Sequence, residues 1–423
     1  MRVATSQIYN IANIGMNNAQ TALTKTQEQM ASGKRILSPA DDPVAATQIL
    51  QLNEEVTRTE QYIKNIDVAE NSLNLEETAL DSVLTLVQRM QELAVSAGNT
   101  AVLTPNDYKA LVAEANSRID ELLNLQNTRD AAGQYIFSGY QGATQPFSRN
   151  SDGTFSYHGD EGQRQIKASG SVAVNVSDSG KRVFMDIASD NNTFYTEANP
   201  SNRANPPARI SVGQVTDQDE FDAFYPDDLV IQFSENGAGD TVFTVTNSTT
   251  GQILPGANGL NEREFVSGQP IEVEGASFTI TGQPYPGDGG AVPGDSFTLT
   301  STGKQSLSGT LTRLSDAMNA MDGSQQSKDH LDRVVSDTLA NLENAVTNIS
   351  VVQGELGARL NTLESTREQN LDSKLYTETV LNDLEALDYA EASTRLEMQE
   401  LVLSAAQKSF VKVAGLTLFN YIS

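Results

Sequence analysis

The sequence contains no cysteine and no tryptophan, and only two of its 423 residues are histidine. Without cysteine the protein cannot form disulfides, use a thiolate nucleophile or bind a metal through sulfur. His158 and His330 are far apart in the sequence and no third ligand accompanies either one, so a zinc site is not expected. The sequence also lacks a phosphate-binding glycine loop and a histidine placed for a hydrolase triad. These absences predict a protein that is not an enzyme and needs no cofactor.

Positive charge is also scarce. The sequence has 28 Lys and Arg against 55 Asp and Glu, a net charge of −27, which argues against nucleic acid as a partner because phosphates favour basic surfaces. No apolar run reaches the roughly 18 residues of a membrane span, so membrane insertion is not expected. The first residues lack the apolar core of a secretory signal, so export by the general secretory route is not expected either.

Helical periodicity is abundant at both ends of the sequence. The stretch from Leu381 to Ser423 is predicted to be helical, and it carries two apolar stripes. One stripe follows alternating steps of three and four residues: Val380, Leu384, Leu387, Thr394, Met398, Leu401 and Ala405. The other follows seven-residue intervals: Leu396, Leu403 and Phe410. Past Ala405 the apolar face widens beyond what one partner helix can cover, which predicts burial against further molecules.

The first thirty-odd residues repeat the same steps with smaller side chains that permit close approach. We therefore expect the two chain ends to lie side by side, with part of their surface reserved for other subunits. A subunit with two unlike adhesive helices makes head-to-tail contacts, which build rings or helical layers. The predicted subunit-interface residues are Ile8, Ala12, Ala19, Met30, Leu396, Leu401, Leu403, Phe410, Leu418, Phe419 and Tyr421.

Two long helices are predicted inside these ends. Gly33 to Pro43 breaks the first helix, and Asp42 followed by Pro43 is typical of a helix N-cap, which we favour over a metal site formed by Asp41 and Asp42. From there to Ala97 one heptad seam runs through Leu52, Thr59, Ile66, Leu73, Leu80, Val87 and Ala94. A second periodic segment, residues 335–363, is able to pack against it.

The composition changes between residues 141 and 304, which hold 20 of the 30 glycines and 10 of the 13 prolines. Short alternating runs there predict strands at 164–168, 172–176, 229–233, 241–246, 277–281 and 296–300. The absence of tryptophan and the 6% aromatic content nevertheless favour helical packing over a dense sandwich for the protein as a whole.

The predicted fold is mainly α with an inserted β domain. Both chain ends form a long antiparallel coiled-coil-like helical rod, and the β-rich domain faces outward. We predict a discontinuous terminal helical assembly domain of residues 1–40 and 381–423, a discontinuous helical rod domain of residues 41–140 and 305–380, and a β-rich inserted domain of residues 141–304.

Several segments resemble a known family. MRVATSQIYN, ASGKRILSPADDPVAATQIL and LVQRMQELAVSAGNT are similar to the N-terminal part of flagellin-type axial proteins. The ending, LNDLEALDYAEASTRLEMQELVLSAAQKSFVKVAGLTLFNYIS, resembles the hook–filament junction family more than flagellin itself. The resemblance covers roughly residues 1–140 and 305–423.

The resemblance implies a structural subunit of the bacterial flagellum that joins the hook to the filament. Its implied partners are further copies of itself, a neighbouring hook-associated protein, flagellin, and an export chaperone bound to about Leu375–Ile422. The implied location is the extracellular flagellum, reached by flagellar type III export as an unfolded polypeptide.

Alternatives remain open at this stage. A flagellin filament subunit, a secreted coiled-coil adhesin and a protein whose insert cleaves glycans are the other functions that we weigh. Arg89, Leu93 and Glu114 match positions that form an innate-receptor epitope in flagellins, but Ser96 stands where those flagellins carry Gln. We therefore favour ordinary helix surface for these three residues.

Overall fold

The computed structural model describes residues 5–150, 154–256, 258–288 and 292–422, with the side chains of residues 5, 6, 8, 9 and 413–422 left undescribed. Over this part of the protein, helices occupy both ends of the sequence and strands occupy its middle. The predicted order of helices, β-rich insert and helices is therefore confirmed.

The helices include two that exceed fifty residues. Their bounds are α1 (Thr5–Ser32), α2 (Pro43–Ala97), α3 (Pro105–Gln126), α4 (Gly180–Phe184), α5 (Gln218–Phe224), α6 (Leu307–Asn319), α7 (Gln325–Glu385) and α8 (Tyr389–Ile422). The segment that follows Leu381 is thus not one continuous helix. A break after Glu385 separates α7 from α8, and Asp388 Oδ1 starts α8 by accepting the backbone N–H groups of Ala390 and Glu391 at 2.9 and 3.1 Å.

The strands pair antiparallel throughout the described residues. They are β1 (Phe147–Arg149), β2 (Phe155–Tyr157), β3 (Gln165–Lys167), β4 (Ala173–Asn175), β5 (Ile187–Ala198), β6 (Arg209–Ile210), β7 (Gln214–Val215), β8 (Leu229–Glu235), β9 (Thr241–Asn247), β10 (Ile253–Leu254), β11 (Arg263–Glu264), β12 (Pro270–Val273), β13 (Ala276–Thr281) and β14 (Ser296–Gln305). A six-stranded sheet has the order β10-β9-β8-β14-β5 with β11 on β9, and a four-stranded sheet joins β12, β13, β6 and β7. Two small sheets, β1–β2 and β3–β4, complete the insert.

The six- and four-stranded sheets share one apolar core. Phe233, Phe243 and Phe297 come from the larger sheet, and Phe278 and Ile280 come from the smaller one. Phe233 makes edge-to-face contacts with Phe297 and Phe265, at centroid distances of 5.9 and 5.1 Å. The insert therefore does pack as two sheets, contrary to the expectation from the low aromatic content. The few phenylalanines of the protein are concentrated where the two sheets meet.

The protein divides into two compact units. Unit 1 comprises Met1–Asn65, Ala168–Gly170 and Ser365–Ser423, and unit 2 comprises Ile66–Lys167 and Ser171–Glu364. In unit 2 the predicted heptad residues Ile66, Leu73, Leu80, Val87 and Ala94 are all completely buried. Four positions of the second segment, Leu342, Ile349, Leu356 and Leu363, are also completely buried. The heptad pattern thus located the helical core of unit 2.

A charged cluster lies where the insert meets the helices of unit 2. Asp178, two residues before α4, is fully buried, and its carboxylate accepts hydrogen bonds from the Arg359 guanidinium of α7 at 2.8 and 3.1 Å. Arg182 of α4 contacts Glu355 of α7 at 2.5 Å. Glu76 of α2 is also buried here, and neither of its carboxylate oxygens has a hydrogen-bond partner. The negative charge of Asp178 and the positive charge of Arg359 both act on Glu76.

Candidate assembly interface

The connection after α1 holds the two chain ends together within unit 1. Gly33 ends α1 with a φ of +70°, a backbone conformation that glycine adopts without steric cost, and its carbonyl accepts the Leu387 N–H at 3.0 Å. The Arg35 N–H donates to the Glu385 carbonyl at 2.7 Å, and Lys34 pairs with the Glu385 carboxylate at 2.7 Å. The predicted side-by-side arrangement of the ends is confirmed. Lys34 and Arg35 bind at the C-terminal end of α7, where cations offset the negative pole of the helix dipole.

The two aspartates before α2 have structural roles. Asp42 Oδ1 accepts the Ala45 N–H at 3.0 Å, which confirms the predicted N-cap. Asp41 binds Lys25 at 2.5 Å and accepts the N–H groups of Leu37 and Ser38 at 3.1 Å. The Lys25 hydrogen bond, followed by those two backbone hydrogen bonds, lowers the pKa of Asp41 to about 2. Both carboxylates therefore fix the turn.

One face of α1 packs against one face of α8. On α1 the half-buried side chains recur every three or four residues and include Ala12, Met16, Ala19, Leu23 and Met30. On α8 the matching stripe is Ala392, which is buried, followed by Leu396, Gln399, Leu403, Ala406 and Phe410, which are half-buried. The seven-residue stripe of the sequence is thus the one that faces α1. Small residues on α1 permit this close packing.

The opposite faces of the same two helices are apolar and exposed. On α1, Ile11 and Ile14 are 64% and 59% exposed. On α8, Met398, Leu401 and Val402 are 63%, 68% and 56% exposed. These five residues are called the outer face below. Because an amphipathic helix normally turns such residues inward, the outer face marks a surface that is completed by another molecule.

Unit 1 buries few apolar side chains that could stabilise its fold without further contacts. Among its described residues, the buried apolar side chains are Ala45, Ala168, Leu387 and Ala392, and only Leu387 is large. Unit 2, by contrast, buries long rows of Leu, Ile, Val and Phe. Hydrophobic stabilisation scales with the apolar area removed from water, so unit 1 depends on further burial far more than unit 2 does.

The eleven predicted interface residues fall into three groups. Ala12, Ala19, Met30, Leu396, Leu403 and Phe410 lie on the stripes that face one another within the protein. Leu401 lies on the outer face. The side chains of Ile8, Leu418, Phe419 and Tyr421 lie outside the described residues. The other four outer-face residues, Ile11, Ile14, Met398 and Val402, were not among the eleven, although Met398 belongs to the first apolar stripe of the sequence.

Other candidate sites find no support within the described part of the protein. It contains no cluster of three or more histidine or acidic residues able to hold a metal, and none of its helices is long and apolar enough to cross a membrane. Leu93 is buried, and Arg89 forms ion pairs with Glu92 and Glu114 at 2.7 Å. Arg89 and Glu114 therefore lie on the helix surface as expected, whereas that expectation is wrong for Leu93, which packs in the core of unit 2.

Comparison with known proteins points in one direction. The pattern of the bacterial flagellin N-terminal helical region matches residues 3–142. Flagellar hook-associated protein 3 of Salmonella typhimurium is 34% identical over 190 residues, which cover 45% of this chain and 59% of the relative. The chain thus spans about three fifths of that relative. Flagellin of Listeria monocytogenes is 34% identical over a shorter stretch of 106 residues, 25% of this chain and 37% of the relative.

A solved structure extends the similarity. The crystal structure of flagellar hook associated protein-3 from Legionella pneumophila is 30% identical in sequence and has a TM-score of 0.52. The match covers 79% of this chain and 98% of the Legionella chain. It therefore reaches well beyond the N-terminal helical region.

Proposed function

The chain belongs to the family of flagellar hook-associated protein 3, and from that membership we propose that it is a structural subunit of the bacterial flagellum that joins the hook to the filament. The single observation that carries the proposal is the apolar outer face, which lies on a unit with almost no large buried apolar side chain of its own. The exposed apolar side chains of such a subunit become buried when it binds a neighbouring subunit. No catalytic step is part of this function.

The interface that we propose has two layers. The facing stripes of α1 and α8 hold the two helices together, and the outer face receives the neighbouring subunit. Because α1 and α8 present different surfaces, each subunit contacts the next one head to tail, which generates a ring or a helical layer. The side chains of Ile8, Leu418, Phe419 and Tyr421 are assigned to the same interface from the sequence pattern.

The remaining architecture of the proposal is a helical rod with an outward insert. Residues 1–40 and 381–423 form its assembly domain, residues 41–140 and 305–380 its coiled-coil-like rod, and residues 141–304 its β domain. The buried heptad residues of α2 and α7 in unit 2 support the rod. The distinct two-sheet core supports a separate β domain.

The proposed partners follow from the place of the subunit in the flagellum. They are other copies of the protein, a neighbouring hook-associated protein on the hook side and flagellin on the filament side. An export chaperone is assigned to about Leu375–Ile422, where Leu375 and Tyr376 are 65% and 73% exposed. A chaperone that covers these side chains would prevent aggregation before type III export to the cell exterior.

The test is complementation of a non-motile bacterial strain from which the gene for its own hook-associated protein 3 has been deleted. The wild-type protein should restore swimming, and Leu401→Asp should be exported but should fail to seat a filament, so that flagellin is released into the medium. Placing an unpaired carboxylate in a subunit interface costs several kcal/mol, or more than about a hundredfold in affinity. Gln407→Asp is the matched control, because it adds the same charge to an exposed polar position of α8.

A second variant separates assembly from folding. Leu403→Asp should weaken the packing of α1 on α8 in the isolated monomer, whereas Leu401→Asp should leave the monomer's helical circular dichroism unchanged. Normal filament attachment with Leu401→Asp would show that the outer face is not the interface. If the purified wild-type protein instead polymerises alone into long tubes, it is a flagellin, as its similarity to the Listeria protein would also allow.

A further inference from the structure

A large cleft of mixed polar and apolar lining lies inside unit 2, between the four-stranded sheet of the insert and helices α6 and α7. Its volume is about 860 Å³, which is within the range of sites that hold small molecules. Ser211, Thr279, Thr281, Thr312, Ser327 and Gln326 supply much of its lining. A smaller cavity of about 50 Å³ shares Arg313, Arg333 and His330 with it. The cleft therefore offers hydroxyl, amide and guanidinium groups to a ligand.

Four arginines converge on this cleft: Arg149, Arg209, Arg313 and Arg333. Arg149 lies 3.8 Å from Asp120. The other three have no carboxylate within 4 Å in the described part of the protein. This is unexpected in a protein with 55 acidic and 28 basic residues, where cations such as Lys34, Arg182 and Arg359 do have acidic partners. Three guanidinium groups without ion pairs are thus gathered from β6, α6 and α7.

Arg313 is the most enclosed of the three. One terminal nitrogen, Nη2, donates to the Phe194 carbonyl at 2.9 Å, while Nε is inaccessible to solvent and has no hydrogen-bond partner. Burial, together with the positive charge of Arg333, lowers the pKa of the neighbouring His330. The negative charge of Asp337 acts on Arg313 without forming an ion pair within 4 Å. An enclosed guanidinium with no carboxylate in direct contact costs free energy, which a bound anion would offset.

We propose that this cleft binds a small organic anion that carries more than one carboxylate or phosphate group. The guanidinium fork matches both groups, and it forms stronger hydrogen bonds with them than with neutral acceptors. Guanidiniums on three separate elements can engage more than one anionic group of the same molecule. The serine, threonine and glutamine side chains of the lining can satisfy the remaining polar atoms of the ligand.

Three acidic side chains, Glu272, Asp316 and Asp322, also line the cleft, and removing one of their charges should change anion binding in the opposite direction to removing an arginine. Asp322 is engaged in its own turn, where it accepts the Ser324 N–H at 2.8 Å and the Ser327 hydroxyl at 2.7 Å. Asp316 lines the cleft and has no ion pair within 4 Å among the described residues. Its negative charge opposes a bound anion, so removing that charge should tighten binding while removing an arginine should weaken it.

The experiment is calorimetric titration of the full-length protein with citrate and, in a separate arm, with inorganic phosphate, at constant ionic strength. Arg209→Gln and Arg333→Gln should each weaken binding by about tenfold, because each removes one charged hydrogen-bonding group. Both residues are exposed, so neither change should unfold the protein. Asp316→Asn should tighten binding by about threefold. Arg58→Gln, a surface arginine of unit 1, is the control with the same change in charge.

The two probes distinguish the chemical class of the ligand. Binding of citrate alone indicates a carboxylate ligand, and binding of phosphate alone indicates a phosphorylated ligand. Absence of binding to either probe would overturn the proposal. Equal weakening by Arg58→Gln and the cleft variants would overturn it too, because that result indicates general charge attraction. A loss of binding in Asp316→Asn, with the fold intact, would likewise contradict an anion site.

Discussion

Replacing Glu76 with glutamine is expected to stabilise the protein above neutral pH. Glu76 lies on α2 in unit 2, is 1% exposed, and neither of its carboxylate oxygens has a hydrogen-bond partner. Burial, with a smaller contribution from the negative charge of Asp178, raises the pKa of Glu76 to about 8, although the positive charge of Arg359 opposes this rise. Glutamine keeps the shape of the protonated side chain and cannot ionise.

The size of the stability loss caused by Glu76 follows from the difference in bound protons between the folded and unfolded states. Between the ordinary pKa of 4.5 and the raised value of about 8, folded Glu76 holds a proton that the unfolded state has released. The folded state therefore binds more protons in this interval, and its stability falls as the pH rises towards 8. At about 1.4 kcal/mol per pKa unit, the loss is roughly 3 kcal/mol at pH 7 and 4–5 kcal/mol above pH 8.

The assay is urea unfolding of the full-length protein, followed by circular dichroism, at several pH values from 4 to 9. Glu76→Gln should match the wild type near pH 4 and exceed it by about 3 kcal/mol or more at pH 8.5. Glu77→Gln is the matched control, because Glu77 is the exposed neighbour on the same helix and undergoes the same chemical change. If Glu76→Gln destabilises the protein at pH 8.5, the buried carboxylate is ionised and stabilised by Arg359, and the reasoning is refuted.

Two further predictions concern the two units separately. In hydrogen exchange on the monomer, the amides of α1 and α8 should exchange at least about tenfold faster than those of residues 66–97 of α2, because unit 1 buries so few large apolar side chains. Equal protection of the two regions would contradict the dependence of unit 1 on assembly. In unit 2, Arg359→Ala should lower the free energy of unfolding by about 3 kcal/mol, since it leaves buried Asp178 without its bidentate partner. The more exposed Arg182→Ala should cost about 1 kcal/mol or less in the same urea titration, and equal losses would argue against the bidentate pair as the dominant contact.

The sequence by itself determined most of the helices and several of their ends, although it predicted one continuous helix where α7 and α8 are separate. Asp42 before Pro43 predicted the start of α2, and Gly33 predicted the end of α1, because these residues satisfy or terminate the helix backbone locally. The heptad positions located the core of unit 2, since a side chain that recurs on one face of a helix is buried wherever that face is covered. The family resemblance also lay in contiguous segments, so it could be read without knowledge of any tertiary contact.

Tertiary structure decided which surfaces of those helices are free. Both stripes of α8 are apolar, and only packing against α1 selects Leu403 for the contact and leaves Leu401 exposed. The long strand β5 (Ile187–Ala198) escaped prediction because its polar sequence lacks alternation, and its pairing with β14 supplies the order. The sequence likewise does not indicate that the three cleft arginines lie close together in the folded protein. Arg209 and Arg333 are 124 positions apart, and sequence periodicity carries no information about side chains that only folding brings to one cleft.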